Sequence, residues 1–186
     1  MQDKLNKKIL SSADSKNYRG YLQSVEPKID NVLAHIGPGS PCGEFFRRYW
    51  HPVSLSSEVG KNPISLKILG EELVLFRTTN GELGLVHKHC PHRNASLVFG
   101  KCEKKGIRCC YHGWLFAPDG EILDTPGEAE DSEPAKNIRE RLRLGAYPVI
   151  EFNGLIFSYM GPLNEIPEFP LYDSFSITGI TTRPYR

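Results

Sequence analysis

Apolar and polar residues alternate from Ile64 to Leu69, and an apolar run of strand type follows from Leu73 to Thr78. Side chains of a strand point alternately to its two faces, so both segments predict strands. Asn80-Gly81 joins the second to Glu82–His87, and both turn residues tolerate positive φ, which predicts a hairpin. Asp119-Gly120 predicts another tight turn, between Trp114–Ala117 and Glu121–Leu123. Asn153-Gly154 predicts a third, between Tyr147–Phe152 and Leu155–Tyr159, and Ile107–Cys110 a further short strand. Short strands with frequent tight turns predict a mainly β fold of small antiparallel sheets, with no visible internal repeat.

The flanks differ. Met1 to Ile36 is poor in aromatics and rich in Lys, Asp, Ser and Asn, which predicts an N-terminal arm with one weak helix. Gly37 to Gly43 forms a Gly/Pro hinge, and Phe45 to Val53 is an aromatic entry into a folded domain. Glu128 to Glu133 is an acidic stretch in a long Gly/Pro-punctuated loop, read as solvated. Pro162 to Pro170 is a proline-rich, extended exit.

Charge narrows the choice of partners. With 23 basic and 22 acidic residues the net charge is +1, which gives no reason to expect nucleic acid or an anionic membrane. The polar N-terminus lacks the apolar core of a secretion signal, and no apolar run reaches bilayer length. A cytoplasmic location is expected. There cysteines stay reduced, so the five present point to metal before disulfide.

Two segments carry the chemistry. One reads His89-Cys90-Pro91-His92-Arg93, the other Cys109-Cys110-Tyr111-His112-Gly113-Trp114. Their core is C-x-H, sixteen intervening residues, then C-x-x-H. Each segment follows a candidate strand and offers one thiolate and one imidazole. Such donors suit a tetrahedral zinc site, and they equally suit a 2Fe–2S centre with two Cys on one iron and two His on the other. Gly113, directly after His112, lets the backbone come close without a Cβ in the way.

These segments resemble the Rieske domain of non-haem iron aromatic-ring oxygenases and O-demethylases of the phthalate-dioxygenase-like kind. The resemblance extends to Gly43–Val53, Leu69–Arg77, Ala146–Val149 and Gly154–Pro162, and so covers roughly residues 37 to 170. It implies a Rieske iron–sulfur domain over 37–165, after an arm at 1–36. Residues 166–186 would be an extension or the start of a catalytic domain. It also implies three small antiparallel sheets with the cluster at one tip. Cys90 and Cys109 would bind the inner iron, and His92 and His112 the outer one. The implied partners are a reductase or ferredoxin as electron donor and an oxygenase catalytic domain, in cis or in trans. A homotrimer is implied as well.

The family's mononuclear iron, held by two His and one carboxylate, has no counterpart here, since none of the six histidines lies after position 112. That iron is expected only in a catalytic domain outside this chain, and a standalone ferredoxin-type carrier is the alternative reading. Asn94 stands where the family usually has Gly, and Asn tolerates the left-handed conformation. Ala95 and Tyr111 replace the cysteine pair that clamps the loops of high-potential Rieske proteins, and Trp114 and Phe116 replace hydroxyl donors. A potential near the low end of the Rieske range, about −150 mV, is therefore expected.

The neighbouring residues have plainer roles. Trp114 and Tyr111 are expected to pack over the cluster and keep water from its inner side. Arg93 steers charge or makes a surface salt bridge. His89 is a surface or supporting residue, His87 a strand end, and His51 a strand histidine satisfied locally. Cys110 is expected to be a buried small hydrophobe, and Cys42 and Cys102 free thiols.

Overall fold

The computed structural model describes residues 29–175, 177–179 and 184–185. The chain divides into two compact units, residues 1–34 and 35–186. In the first, the Asp30 carboxylate accepts the N–H of Val32 at 2.9 Å and so caps the short helix α1, Asn31–Ala34. Residues 1–28 of the arm lie outside the described residues.

The second unit opens with α2, Pro41–Phe46, where Ser40 accepts the N–H of Gly43 and proline occupies the first turn. Eleven strands follow: β1 Trp50–Leu55, β2 Ile64–Ile68, β3 Glu71–Arg77, β4 Leu83–His87, β5 Lys101–Cys102, β6 Ile107–Arg108, β7 Leu115–Phe116, β8 Ile122–Asp124, β9 Ala146–Tyr147, β10 Val149–Phe152 and β11 Leu155–Tyr159. The helix α3, Glu133–Arg141, stands between β8 and β9. The strands form three small antiparallel sheets in the orders β1-β11-β10, β2-β3-β4-β9 and β5-β6-β7-β8.

β3 links the packing of the domain. Leu73 and Leu75 enter one core with Leu85 and Ile156, while Val74 and Phe76 enter a second with Val86, Leu97 and Phe116. The period of two thus supplies both cores from one strand, and each buried Leu or Phe contributes about 1.5–3 kcal/mol. Cys90, Cys109 and Trp114 belong to the second core. The Glu71 carboxylate at the start of β3 ties the sheet to its surroundings. It accepts the Tyr147 hydroxyl at 2.7 Å, faces His87 Nε2 at 3.1 Å and pairs with the buried Arg47.

The Asn80-Gly81 turn forms as expected, with Gly81 at φ 96° and Thr78 N–H donating to Glu82 at 2.8 Å. Two expectations need correction. The single strand over Tyr147–Phe152 is two strands in different sheets, β9 against β4 and β10 against β11. Pro148 between them has no N–H to donate and restrains the residue before it, so the ladder breaks there. The Gly/Pro-punctuated loop also contains α3, which the pattern did not announce. Ser132 caps it through the N–H of Ala135, and Arg139 and Arg141 lie in its last turn, which suits the helix dipole. Its one buried residue, Ala135, leaves little periodic signal.

The proline-rich exit lies on the first sheet. Trp50 donates its indole N–H to the Pro167 carbonyl at 3.0 Å, and the Phe169 ring meets Trp50, Phe152 and Phe157.

Candidate metal centre

Two loops at one end of the third sheet bring the four predicted ligands together. The first runs from Cys90 to Ala95 and the second from Cys109 to Trp114, and they share one backbone frame. Cys90 N–H donates to the Ala95 carbonyl and Asn94 N–H to the Cys90 carbonyl, both at 2.9 Å. Cys109 N–H donates to the Trp114 carbonyl at 2.8 Å and Gly113 N–H to the Cys109 carbonyl at 3.1 Å. In both loops the residue four places after the cysteine is left-handed, Asn94 at φ 59° and Gly113 at φ 72°. A Cβ on Gly113 would lie 3.3 Å from the Pro126 ring, so glycine answers both the backbone conformation and the close approach. No internal repeat was expected, yet the two loops share one. The repeat is one six-residue turn.

The thiols and imidazoles separate by depth. Cys90 and Cys109 are 3% and 4% exposed and their thiols touch. Burial, reinforced by Cys109, pushes the Cys90 thiol up to about 11, against the pull of the His92 and Arg93 backbone N–H groups that point at it. His92 and His112 lie on the exposed side, with ring centroids 4.8 Å apart. Partial burial, the adjacent His112 and the Arg93 guanidinium hold His92 below its ordinary value, in the neutral form that binds a metal.

Trp114 is 6% exposed and stacks flat on His92, with centroids 4.6 Å apart and planes 3° from parallel. Its indole thus covers one face of the His92 ring. Tyr111 is not buried beside it. It is 60% exposed and its ring leans on His112 at 3.8 Å, because the turn carries it outward at the loop tip. Cys110 is exposed as well, not buried: in a turn, adjacency to a buried cysteine does not imply the inward alternation of a strand. Arg93 is exposed beside His92, with no ion pair among the described residues. Cys42 and Cys102 are free thiols. His51 sits in β1 with its Nε2 2.7 Å from the Phe46 carbonyl, and His87 ends β4. A cavity of about 380 Å³ opens beside His92 and Trp114 and reaches Glu128, Ile138 and Leu142.

Some residues around the loops carried no obvious signal in the sequence. Arg108, directly before Cys109, grips the Gly113 carbonyl and two carboxylates, Glu103 and Asp124. His89, directly before Cys90, makes the matching contact, Nδ1 to the Asn94 carbonyl at 3.1 Å. Aligning the two loops on their cysteines would have exposed both. Thr125, just after β8, is buried and its hydroxyl has no partner among the described residues.

A two-iron cluster with its ligands split as two thiolates and two imidazoles needs one pair of each, and this arrangement supplies them. Two buried thiols in contact are costly to ionise without a cation between them, and bound iron would provide that compensation. Among the described residues, no three His, Cys, Asp or Glu side chains close on a single ion position. The donor set fits the cluster as two pairs, the buried thiols and the exposed imidazoles.

Comparison with known proteins agrees. The Rieske [2Fe-2S] domain family matches residues 49–148. The oxygenase subunit of tert-butanol monooxygenase / tert-amyl alcohol desaturase from Aquincola tertiaricarbonis is 48% identical over 162 residues, covering 85% of this chain and 33% of the relative. Phenoxybenzoate dioxygenase subunit alpha from Ectopseudomonas oleovorans is 45% identical over 166 residues, covering 89% of this chain and 40% of the relative. The crystal structure of dicamba monooxygenase bound to dicamba superposes with a TM-score of 0.61 at 26% identity, over 73% of this chain and 42% of that one. The chain thus spans between 33% and 40% of the length of these two curated relatives. It belongs to the Rieske [2Fe-2S] domain family, in the branch related to the oxygenase subunits of aromatic-ring-hydroxylating dioxygenases and O-demethylases.

Proposed function

We propose that Cys90 and Cys109 hold the inner iron, and His92 and His112 the outer iron, of a 2Fe–2S cluster through which this chain passes single electrons. The observation that carries the reading is the separation by depth on twin loops: a buried thiol pair and an exposed imidazole pair. When bound, the cluster supplies one-electron chemistry. The chain's own residues do the rest. The Cys90 and Cys109 side chains anchor from within the core, and the N–H groups of His92 and Arg93 stabilise negative charge on the Cys90 sulfur. Trp114 keeps water from the inner side and fixes the His92 ring by stacking. The exposed edges of His92 and His112 would form the route to a partner, and each ring would keep a proton on the nitrogen not used to hold the cluster.

The role that best joins these features is the Rieske portion of an aromatic-ring oxygenase or O-demethylase. A reductase or ferredoxin would be the donor, and a mononuclear-iron catalytic domain, in cis or in trans, the acceptor, within a homotrimer. The domain would span 37–165, with residues 166–186 leading toward that catalytic domain. Among the described residues, no helix is long and apolar enough to cross a membrane.

Absorption and EPR spectra of the reconstituted protein before and after dithionite test the proposal. A red-brown colour that bleaches on reduction, with a rhombic signal in the reduced state, is the expected result. A colourless, EPR-silent protein that binds zinc stoichiometrically would overturn it.

A further inference from the structure

The twin frame assigns a role to the residue before each ligand cysteine. We propose that His89 and Arg108 are equivalent positioning residues, each closing its own ligand loop by donating to the carbonyl of that loop's left-handed residue. They thereby govern how firmly the cluster is held, and Arg108 also sets its potential. This rests on the cluster-binding role proposed above and extends it to residues outside the ligand set.

The geometry is matched on both sides. His89 precedes Cys90, and its Nδ1 lies 3.1 Å from the carbonyl oxygen of Asn94, the left-handed residue of the first loop. A carbonyl only accepts, so Nδ1 carries the proton. Arg108 precedes Cys109, and its Nη1 donates at 2.6 Å to the carbonyl oxygen of Gly113, the left-handed residue of the second loop. Each contact bridges the ends of the turn that contains the cysteine and the histidine. Both clamps are backed by carboxylate. Glu72 Oε2 lies 3.8 Å from His89 Nε2. Glu103 receives Arg108 Nε at 3.0 Å and Nη2 at 3.1 Å, and Asp124 receives Nη1 at 2.7 Å.

The backing differs in strength. The guanidinium is a planar fork whose orientation two acids fix, and 27% of it is exposed. The imidazole is 41% exposed and faces one acid beyond hydrogen-bond distance. The second clamp is therefore the stronger. Without its charge, Glu103 and Asp124 would stand unopposed near Cys109, which disfavours the reduced, more negative state of the cluster.

The test compares His89→Phe, His89→Asn, Arg108→Gln and Arg108→Lys in the full reconstituted protein. Three readouts are taken: cluster loss to an iron chelator, the reduced fraction at a fixed ambient potential, and unfolding of the apoprotein. Cluster loss is expected about tenfold faster in Arg108→Gln, the equivalent of one charge-assisted hydrogen bond, and faster by a smaller factor in His89→Phe. His89→Asn, whose amide can donate from a similar position, is expected to recover part of the loss. The reduced fraction is expected to fall in Arg108→Gln and to hold in Arg108→Lys, which keeps the charge and loses the fork. A purely structural role would not produce that split.

Should Arg108→Gln fail to fold, Glu103→Gln and Asp124→Asn loosen the same fork with the arginine in place, and each is expected to speed cluster loss. Chelation rates and reduced fractions equal to the wild type across the folded variants would overturn the proposal. A wild-type protein that takes up no cluster would instead overturn the functional reading on which it rests.

Discussion

The two ligand loops share a backbone and differ in what the backbone carries. In both, the cysteine opens a turn closed by the same pair of hydrogen bonds and a left-handed residue. Histidine is two places after the cysteine in the first loop and three places after it in the second. At the frame position of His92 the second loop has Tyr111, and at the frame position of His112 the first loop has Arg93. The turn therefore fixes the depth of each thiol, while the sequence alone chooses which outer position holds an imidazole. Support differs too. The first loop leans on backbone bonds such as Leu97 N–H to the Lys88 carbonyl at 2.8 Å, whereas the second is held by an ion-paired arginine between β6 and β8. The same turn is thus clamped at the same carbonyl by two different side chains, an imidazole and an ion-paired guanidinium.

The largest effect should come from removing the feature the loops share. Cys90→Ser and Cys109→Ser are each expected to abolish iron–sulfur absorption while leaving a folded apoprotein, read by spectrum and circular dichroism. Retention of a full cluster in either would break the equivalence of the two thiols.

Changing the feature that differs comes next. His92→Cys and His112→Cys place a third thiolate on the cluster, and the added negative charge should lower the potential strongly or cost the cluster, as a redox titration would report. In the wild type, reduction at the proposed ligands should couple to proton uptake at high pH, so the potential falls there as pH rises. A flat alkaline profile would speak against exposed imidazole ligands.

Smaller effects separate the left-handed residues. Gly113→Ala should destabilise by about 1–2 kcal/mol from backbone strain, and more than Asn94→Ala, because its methyl group also meets Pro126 at 3.3 Å. Asn94→Gly should be neutral or slightly stabilising. Chemical denaturation of the three variants checks the order.

The smallest effect concerns acid. Hydrogen bonds from Arg108 are the main cause holding Glu103 below the usual carboxylate range. A carboxyl depressed in the folded state stabilises above its unfolded value, and that contribution fades as pH falls through the folded value. Wild type should therefore exceed Glu103→Gln in stability by about 0.5–1 kcal/mol near neutrality, with the gap closing in the acid range as seen in melting temperatures.

Much of this was legible before the structure. The β3–β4 hairpin follows from alternation flanking Asn80-Gly81, and the proposed ligand set from the C-x-H and C-x-x-H segments together with the family resemblance. The break at Pro148 was readable in principle, since proline cannot continue a ladder, but two apolar strands in tandem look like one. α3 buries one alanine fully, with Ile138 partly buried one turn on, and its many charged residues read as loop. Cys110 was misplaced because inward–outward alternation was carried from strands into a turn, where it does not hold. His89 was read as a surface or supporting residue, but its contact, and Arg108 altogether, stayed hidden because a side chain bonding to a carbonyl leaves no trace in composition. Only superposing the loops reveals the shared contact.

The most direct test of the central claim is the iron and acid-labile sulfide content of protein purified anaerobically or reconstituted with iron and sulfide. The account predicts equal amounts of both, at the stoichiometry of one 2Fe–2S cluster per chain. Protein that holds neither iron nor sulfide after reconstitution would contradict it.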